Sequence, residues 1–363
     1  MKNTFGNNIA FTLFGESHGE KIGVVIDGLP AGLKIDPDFI VSQLSLRKPQ
    51  GAISTARTEE DTPEIVSGVF DNHSTGTPLT ILISNRNIRS KDYSATRFLA
   101  RPGHADYTAY QKYHGYEDYR GGGHFSGRLT APVVAAGAIL ISALKQKGIQ
   151  IGTHISRCRN ICDSDFSDYE KQIGLLNERL FAVLDETKEE EMKKVILEAA
   201  ERKDSVGGIL ETAVIGLPAG LGEPWFDSLE SLLSHALFAI PGVKGVEFGD
   251  GFAMAEHYGS EMNDAFRMKD GRAETKTNHN GGINGGISNG MPIVFKTAVK
   301  PTPSIYQPQD TIDFKEGKDA LIELAGRHDP AIFPRARVVV DSLAALVIMD
   351  ALMARYGSEY FVQ

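Results

Sequence analysis

Histidine, arginine, aspartate and serine recur along this chain in short glycine-flanked clusters, and these are the groups that move protons and hold anions. The first is Phe14-Gly15-Glu16-Ser17-His18-Gly19. Its glycines allow a tight loop that projects three functional side chains, and His18 can exchange protons near neutral pH. The bare pattern Gly-x-Ser-x-Gly is present, but a serine-nucleophile elbow sits between a strand and a helix, and this segment precedes a strand. For His18, a turn-holding role stands beside the proton-transfer one. The second cluster is Arg101-Pro-Gly-His104-Ala-Asp106-Tyr107, followed by His114. Arg101 could bind an anion and Asp106 could orient His104 through a ring N–H. A helix is expected from Ala105 onward, and the structural alternative is a helix start with a solvent-facing His104.

The third cluster, Arg120-Gly-Gly-Gly123-His124-Phe125-Ser126-Gly127-Arg128-Leu129-Thr130, can turn backbone donors toward a phosphate or a planar ring ahead of a helix amino terminus. Arg120 and Arg128 bracket it, which favours an anion site over an ordinary glycine-rich loop. Its spacing is neither that of an ATPase P-loop nor that of a dinucleotide turn. Next come Asn278-His-Asn-Gly-Gly282, Gly285–Gly290 and Lys300-Pro301-Thr302-Pro303-Ser304, whose glycines, amides, hydroxyls and lysine suit a rigid phosphate or cofactor cradle. Last is Gly326-Arg327-His328-Asp329-Pro330, ahead of Pro334-Arg335-Ala336-Arg337, with a buried Arg327–Asp329 network as the structural reading. Together the clusters suggest a concave site for a multiply anionic small molecule, with a phosphorylated aromatic cofactor as a further candidate. The residues by themselves do not name a reaction.

Regular elements must bring these loops together. Ile22–Ile26 reads as a strand, followed by the turn Gly28-Leu-Pro-Ala-Gly-Leu33 and a helix opened by Asp36-Pro37 that runs to Leu44. The same order returns with a strand at Thr212–Ile215, an identical hexapeptide at Gly216–Leu221 and a helix over Asp227–Leu237. A looser pair joins Thr75–Leu79, leading into TILIS, with Asn289–Ile293, leading into VFKTAV. Two matched pairs in one order favour an internal duplication. The expected organisation is one domain over 1–363 with approximate halves 1–205 and 206–363. Thr130–Leu144 reads as a buried helix, Asp185–Asp204 as a peripheral surface helix with one apolar face, and Leu343–Tyr356 as a final helix.

The 363 residues suffice for a sizeable core, and a net charge of −9 argues against a nucleic-acid coat or a polybasic membrane binder while leaving room for a local basic pocket. Cys158 and Cys162 are the only cysteines, so no disulfide framework is expected; a helical or buried-thiol reading outweighs a metal site, and no metal is assigned. The longest apolar run, around Ala131–Leu144, falls short of a membrane span. The amino terminus lacks the pattern of a signal peptide, and a soluble cytoplasmic protein is expected.

The ordered set GESHG at Gly15–Gly19, RPGHADY at Arg101–Tyr107, RGGG at Arg120–Gly123, GGINGGISNG at Gly281–Gly290, KPTPS at Lys300–Ser304 and GRHDP at Gly326–Pro330 closely resembles chorismate synthase, from Phe5 to about Leu352. That resemblance implies an α+β fold, a β-α-β sandwich of two intertwined pseudo-symmetric repeats, assembled as a homotetramer. It implies a lyase that converts 5-enolpyruvylshikimate 3-phosphate to chorismate and phosphate by 1,4-anti elimination and requires reduced FMN. Carried over by motif, His18 stands near the leaving phosphate, His104 near flavin N1, and Asp329 works with flavin N5 when the C6 proton is removed. Arg47, Arg128 and Arg327 surround the substrate. The FMN shell comprises His124, Phe125, Ser126, Gly285, Lys300, Pro301, Thr302, Pro303, Ser304 and Arg327, joined by Pro241 and Gly242 on a weaker match.

Two departures stand out. After RGGG the commoner family form reads Arg-Ser-Ser-Ala-Arg-Glu-Thr, where this chain has His124-Phe125-Ser126-Gly127-Arg128-Leu129-Thr130, which implies a different contact set in the same pocket. Near Arg47-Lys48, Gly51–Ser54 lacks an arginine found in relatives. This leaves NADPH binding open and makes a separate flavin reductase the expected source of reduced FMN. A flavin-binding carrier without turnover and a flavin-dependent oxidoreductase are the alternatives.

Overall fold

Strands whose alternate residues are apolar build two sheets that share one helical layer between them. The computed structural model describes residues 3–49, 51–54, 60–86, 96–324 and 328–362. The first sheet contains β1 (Thr4–Phe5), β2 (Ala10–Gly15), β3 (Lys21–Asp27), β4 (Pro63–Ser67) and β5 (Leu79–Ser84), in the spatial order β1-β2-β3-β5-β4, all antiparallel. Ile22, Val24 and Ile26 lie opposite Ile83, Ile81 and Leu79, and all six are fully buried. Such cross-strand β-branched and leucine pairs fix the register, because a slip of one residue would turn them to solvent. The second sheet contains β6 (Gln150–Cys158), β7 (Ile161–Cys162), β8 (Gly208–Ile215), β9 (Val243–Phe248) and β10 (Ile293–Val299), ordered β9-β10-β8-β6-β7 and again antiparallel.

The helices are α1 (Pro37–Arg47), α2 (Asp106–Tyr113), α3 (Thr130–Gln146), α4 (Tyr169–Glu178), α5 (Glu186–Glu201), α6 (Leu229–Leu237), α7 (Gly259–Met262) and α8 (Phe333–Tyr356). α3 packs on the first sheet with α1 at its side, α8 packs on the second with α6, and α3 lies against α8 in the centre. The result is the expected α+β sandwich of sheet, helices and sheet. Gly137 permits the central contact, since a Cβ there would overlap the side chain of Ser342.

α1 starts where Asp36-Pro37 foretold it, with the Asp36 carboxylate accepting from Phe39 N at 3.0 Å, but it continues past Leu44 and so delivers Arg47 on its last turn. The final helix begins at Phe333 rather than Leu343. Pro334 is accommodated at its start because it occupies the first turn, where no backbone N–H is needed. Arg335, Arg337 and Asp341 then enter the core as partnered charges that break the apolar pattern. Burial pushes the Asp341 carboxyl up to about 6, against the pull of Arg337 at 3.9 Å and a hydrogen bond from Thr153 at 2.6 Å. By length and composition Gly127–Gln146 could cross a membrane, but 83% of the qualifying stretch is packed inside the fold. Cys158 and Cys162 lie on the antiparallel strands β6 and β7, not on a helix; burial raises the Cys158 thiol to about 11, and Cys162 is exposed.

The two GLPAGL segments close with the same clasp. Ser74 Oγ accepts from Leu33 N at 2.9 Å and donates to Pro30 O at 2.6 Å. Ser288 Oγ accepts from Leu221 N at 2.9 Å and donates to Pro218 O at 2.7 Å. Each serine immediately precedes one member of the looser sequence pair, and in each case the next long strand, β5 or β10, sits beside the strand that led into the hexapeptide.

On the second sheet, His154 is fully buried between Asp163 (2.7 Å) and Glu211 (2.8 Å). Burial alone would lower its pKa, but the two carboxylates outweigh burial and raise it above the ordinary 6.5. A raised folded-state value means that this contribution is complete below the unfolded pKa and is lost as pH rises through the folded one. His154→Ala is therefore expected to cost about 3–5 kcal/mol near pH 6, because it strands two buried carboxylates. The gap from wild type should narrow in alkaline melts; a gap that is constant with pH would contradict a charged His154.

Candidate active site

A cleft of about 760 Å³ opens between β1, at the edge of the first sheet, and β9, at the edge of the second. Its apolar floor comes from Phe11 and Leu13 of β2, Val133 of α3, and Val339, Leu343 and Leu346 of α8. Its walls are loops. His104 and Ala105 precede α2; Gly121 and His124–Leu129 lead into α3; Ile240–Gly242 lie between α6 and β9; Lys300–Ser304 follow β10; and His328 and Asp329 precede α8, with Thr130 of α3 and Val243 and Lys244 of β9 beside them. The volume lies in the upper part of the range for small-molecule sites.

The charge of the lining is opposite to that of the chain. Arg47, Arg101, Arg128, Lys244, Lys300 and Arg335 line the cleft, and Asp329 is the one carboxylate among the described lining residues, in a protein of net charge −9. Such a concentration in a concave, partly apolar site focuses positive potential on a bound anion. Burial, then the neighbouring Lys244, lowers the Lys300 ammonium from its ordinary value.

His104 is held as its local sequence suggested. Its Nδ1 lies 3.0 Å from both Asp106 Oδ1 and Arg101 Nη2, and in the tautomer protonated at Nδ1 the ring N–H donates to the carboxylate. The opposite edge of the ring lies against Gly122, where a Cβ would be 3.2 Å from Nε2. Asp106 also accepts from Arg101 through Nε (2.7 Å), Nη2 (2.6 Å) and the backbone N–H (3.0 Å). Burial would raise Asp106, but bonds from Arg101 and His104 hold it well below the usual carboxylate range. Arg101 is thus committed to Asp106 and is not the open anion-binding cation anticipated for it. Arg120 is likewise diverted: its Nε and Nη2 each lie 2.8 Å from Asp118. A carboxylate a few residues away captured each guanidinium.

Arg128 and Arg47 do reach the cleft. Asp61 sits between them with a fully buried side chain, accepting from Arg47 Nη1 at 3.0 Å and from Arg128 Nη1. Arg47 also donates to Thr130 Oγ1 (2.9 Å) and Gly127 O (3.0 Å), and Arg128 Nε donates to Asn85 Oδ1 (3.0 Å). Arg335 donates to Asp329 Oδ2 at 2.7 Å and to the carbonyl of Arg47 at 2.7 Å, so segments far apart in the chain meet at this wall. Asp329 is therefore networked with Arg335. Arg327, the other half of the expected pair, lies outside the described residues.

His18 is buried one layer behind the wall. Its ring packs on Gly121, at φ +58°, where a Cβ would overlap the imidazole. Its Nδ1 is 3.1 Å from Ser17 Oγ, and that hydroxyl is 3.0 Å from Gly121 O. Ser17 N donates to Gly123 O (3.1 Å), and His124 Nδ1 lies 2.8 Å from Gly15 O. The Gly15–Gly19 turn joins two antiparallel strands and is stitched to the Arg120–Phe125 loop, so its serine has no elbow geometry.

The Lys300–Ser304 strap is fixed by its backbone. Lys300 N donates to Gly242 O (2.9 Å), which brings Pro241 and Gly242 beside it, and Ser205 Oγ donates to Thr302 O (2.7 Å). Of the assigned cofactor residues, His124, Phe125, Ser126, Pro241, Gly242 and Lys300–Ser304 line the cleft and Gly285 does not. Gly285 belongs to the hairpin Ile283–Ser288, which packs against the start of α6, with the Gly286 Cβ position 2.7 Å from the Ser228 Cβ. Earlier in the Asn278–Gly290 cluster, Asp264 accepts from His279 N (2.8 Å) and Asn280 N (2.9 Å). Sequence reasoning gave no role to Asp61, Asn85, Lys244, His235 or Arg335. Arg335 had one signal, its place shortly after GRHDP; Asp61 had none within an acidic stretch that reads as solvent-facing.

Comparison with known proteins gives the family and the fold. The family model described as chorismate synthase matches residues 9–353. The chorismate synthase of Pyrococcus abyssi is 47% identical over 350 residues, covering 96% of this chain and 97% of that protein. The chorismate synthase of Chitinophaga pinensis is 45% identical, covering 98% of each. A crystal structure of chorismate synthase superposes with a TM-score of 0.74 at 28% identity, covering 97% of this chain and 94% of the other.

Proposed function

The chain belongs to the chorismate synthase family, and on that premise we propose that the cleft binds 5-enolpyruvylshikimate 3-phosphate beside reduced FMN and eliminates phosphate from it, giving chorismate. The C6–H and C3–O bonds break, the proton and phosphate leave, and the ring gains a second double bond as the first one shifts, so no net oxidation occurs. The observation that carries the reading is a cleft wide enough for two ligands whose described lining keeps Arg47, Arg128, Lys244 and Lys300 beyond the cations paired one to one, Arg101 with Asp106 and Arg335 with Asp329. A substrate with two carboxylates and a phosphate needs that excess, and arginine supplies it through paired charge-assisted hydrogen bonds.

The residues present suit a flavin: an apolar floor for a planar ring, and polar walls from His124–Ser126, Pro241-Gly242 and Lys300–Ser304 for its edges and phosphate. When bound, reduced FMN supplies electron density that no amino-acid side chain can offer to a ring losing phosphate. His104, aligned by Asp106, holds a proton at the cleft wall. Asp329, tied to Arg335, is by motif the carboxylate that assists the flavin in removal of the C6 proton. His18, steadied by Ser17 and separated from the cleft by Gly121, is assigned by motif to protonate the departing phosphate. Arg47 and Arg128 orient the substrate, with Arg327 as a third cation by motif. The repeated serine clasp supports one domain built from two related halves. Exposed Trp225, Phe226, Phe252 and Tyr258 are large apolar groups of the kind that assembly into an oligomer covers.

The test is anaerobic turnover with photoreduced FMN. Chorismate and phosphate should form in equal amounts without consumption of reducing equivalents, and oxidised FMN should support none. Stoichiometric flavin oxidation would instead indicate an oxidoreductase. His18→Ala should slow single-turnover elimination about a hundredfold and leave the FMN dissociation constant unchanged; equal losses in both would remove its assigned role.

A further inference from the structure

We propose that Asp61 is a positioning residue: from behind the cleft wall its carboxylate ties Arg47 and Arg128 into one rigid clamp for an oxyanion of the substrate. This rests on the chorismate synthase reading for the identity of the ligand, but the geometry stands by itself. The Asp61 side chain is 0% exposed and does not line the cleft, whereas Arg47 and Arg128 do. One carboxylate oxygen takes Nη1 of Arg47, and the other takes Nη1 of Arg128.

Further inward-facing donors are also assigned. Thr130 Oγ1 and Gly127 O hold Arg47, and Asn85 Oδ1 and Ser84 O hold Arg128. Two guanidinium groups brought together without a countercharge repel and separate, and a flexible arginine loses rotamer freedom when it captures an anion. With Asp61 between them that ordering is done before the ligand arrives, and the trio keeps a net charge of +1, the sign an anion requires. The Asp61 backbone stands at φ 42°, in the left-handed region sparsely used by residues other than glycine. Such a conformation persists where its surroundings fix it.

The test uses the full-length protein and two probes, the substrate and inorganic phosphate. Asp61→Asn keeps the shape but turns an amide N–H₂ toward one guanidinium, so donor faces donor. It is expected to raise KM for substrate, and the calorimetric dissociation constant of inorganic phosphate, by about tenfold or more. The FMN dissociation constant and kcat should stay within about threefold, because the flavin contacts of the Lys300–Ser304 strap do not pass through Asp61. Unchanged or tighter phosphate binding overturns the proposal, since Asp61 would then only neutralise charge. Equal loss of FMN affinity also overturns it, since Asp61 would then only hold the fold. If Asp61→Asn does not fold, Thr130→Val removes one acceptor of Arg47 and should raise both constants about threefold with FMN affinity unchanged; no rise overturns the clamp. Phosphate calorimetry needs no turnover, so failure of wild type to make chorismate would count against the family reaction and not against Asp61.

Discussion

Replacing His104 with alanine is expected to lower kcat by about 10²–10⁴-fold, the range for loss of a positioned acid or base. The substrate KM and FMN dissociation constant should move by no more than a few fold, because the proposed anion clamp of Arg47 and Arg128 and the proposed flavin-holding strap Lys300–Ser304 do not depend on the imidazole. The effect is expected to be large because the ring is placed with little freedom: Nδ1 is fixed by Asp106 at 3.0 Å, Asp106 is fixed by Arg101, and the other edge meets Gly122. Single-turnover absorbance measurements separate the rate from binding. A flavin affinity that falls in step with the rate would make His104 a wall residue and not a proton-holding one.

Replacing Arg128 with alanine should act on binding instead. Truncating one partner of a buried, hydrogen-bonded charge pair costs about 2–5 kcal/mol, roughly 30-fold to several thousandfold in affinity. Arg128→Ala should therefore raise the substrate dissociation constant by at least about 30-fold. Arg128→Lys should recover only part of the loss, because an ammonium keeps the charge but cannot bridge Asp61, Asn85 and a ligand with one planar group. Full recovery by lysine would mean that charge alone matters at this position.

How much of this was legible in the sequence depended on how local the cause was. Asp36-Pro37 announced α1 because a cap and a first-turn proline act within a few residues. The His104–Asp106 bond was readable for the same reason. Arg101 and Arg120 read as open cations because Asp106 was assigned to His104 alone and Asp118 was given no role, whereas these carboxylates capture them. α8 was started too late because its first turns carry Arg335, Arg337 and Asp341, charges that read as surface until their partners on distant segments are known.

Asp61 and Arg335 act across long sequence separations, and no spacing rule connects Asp61 to Arg128 or Arg335 to the carbonyl of Arg47. Gly285 matched a motif whose neighbours in this chain pack against the start of α6 instead of the cleft. The duplicated GLPAGL turns were visible as sequence, but the serines that clasp them were not, since each binds from about forty residues away or more.

The proposed chemistry depends on glycine-rich loops far apart in the chain meeting in one cleft that holds two anionic ligands side by side. A crystal structure with oxidised FMN and 5-enolpyruvylshikimate 3-phosphate decides this. Flavin density is expected between the Lys300–Ser304 strap and His124–Ser126, with the substrate anions on Arg47 and Arg128. Either ligand bound elsewhere on the chain, with this cleft holding only solvent, would refute the shared site.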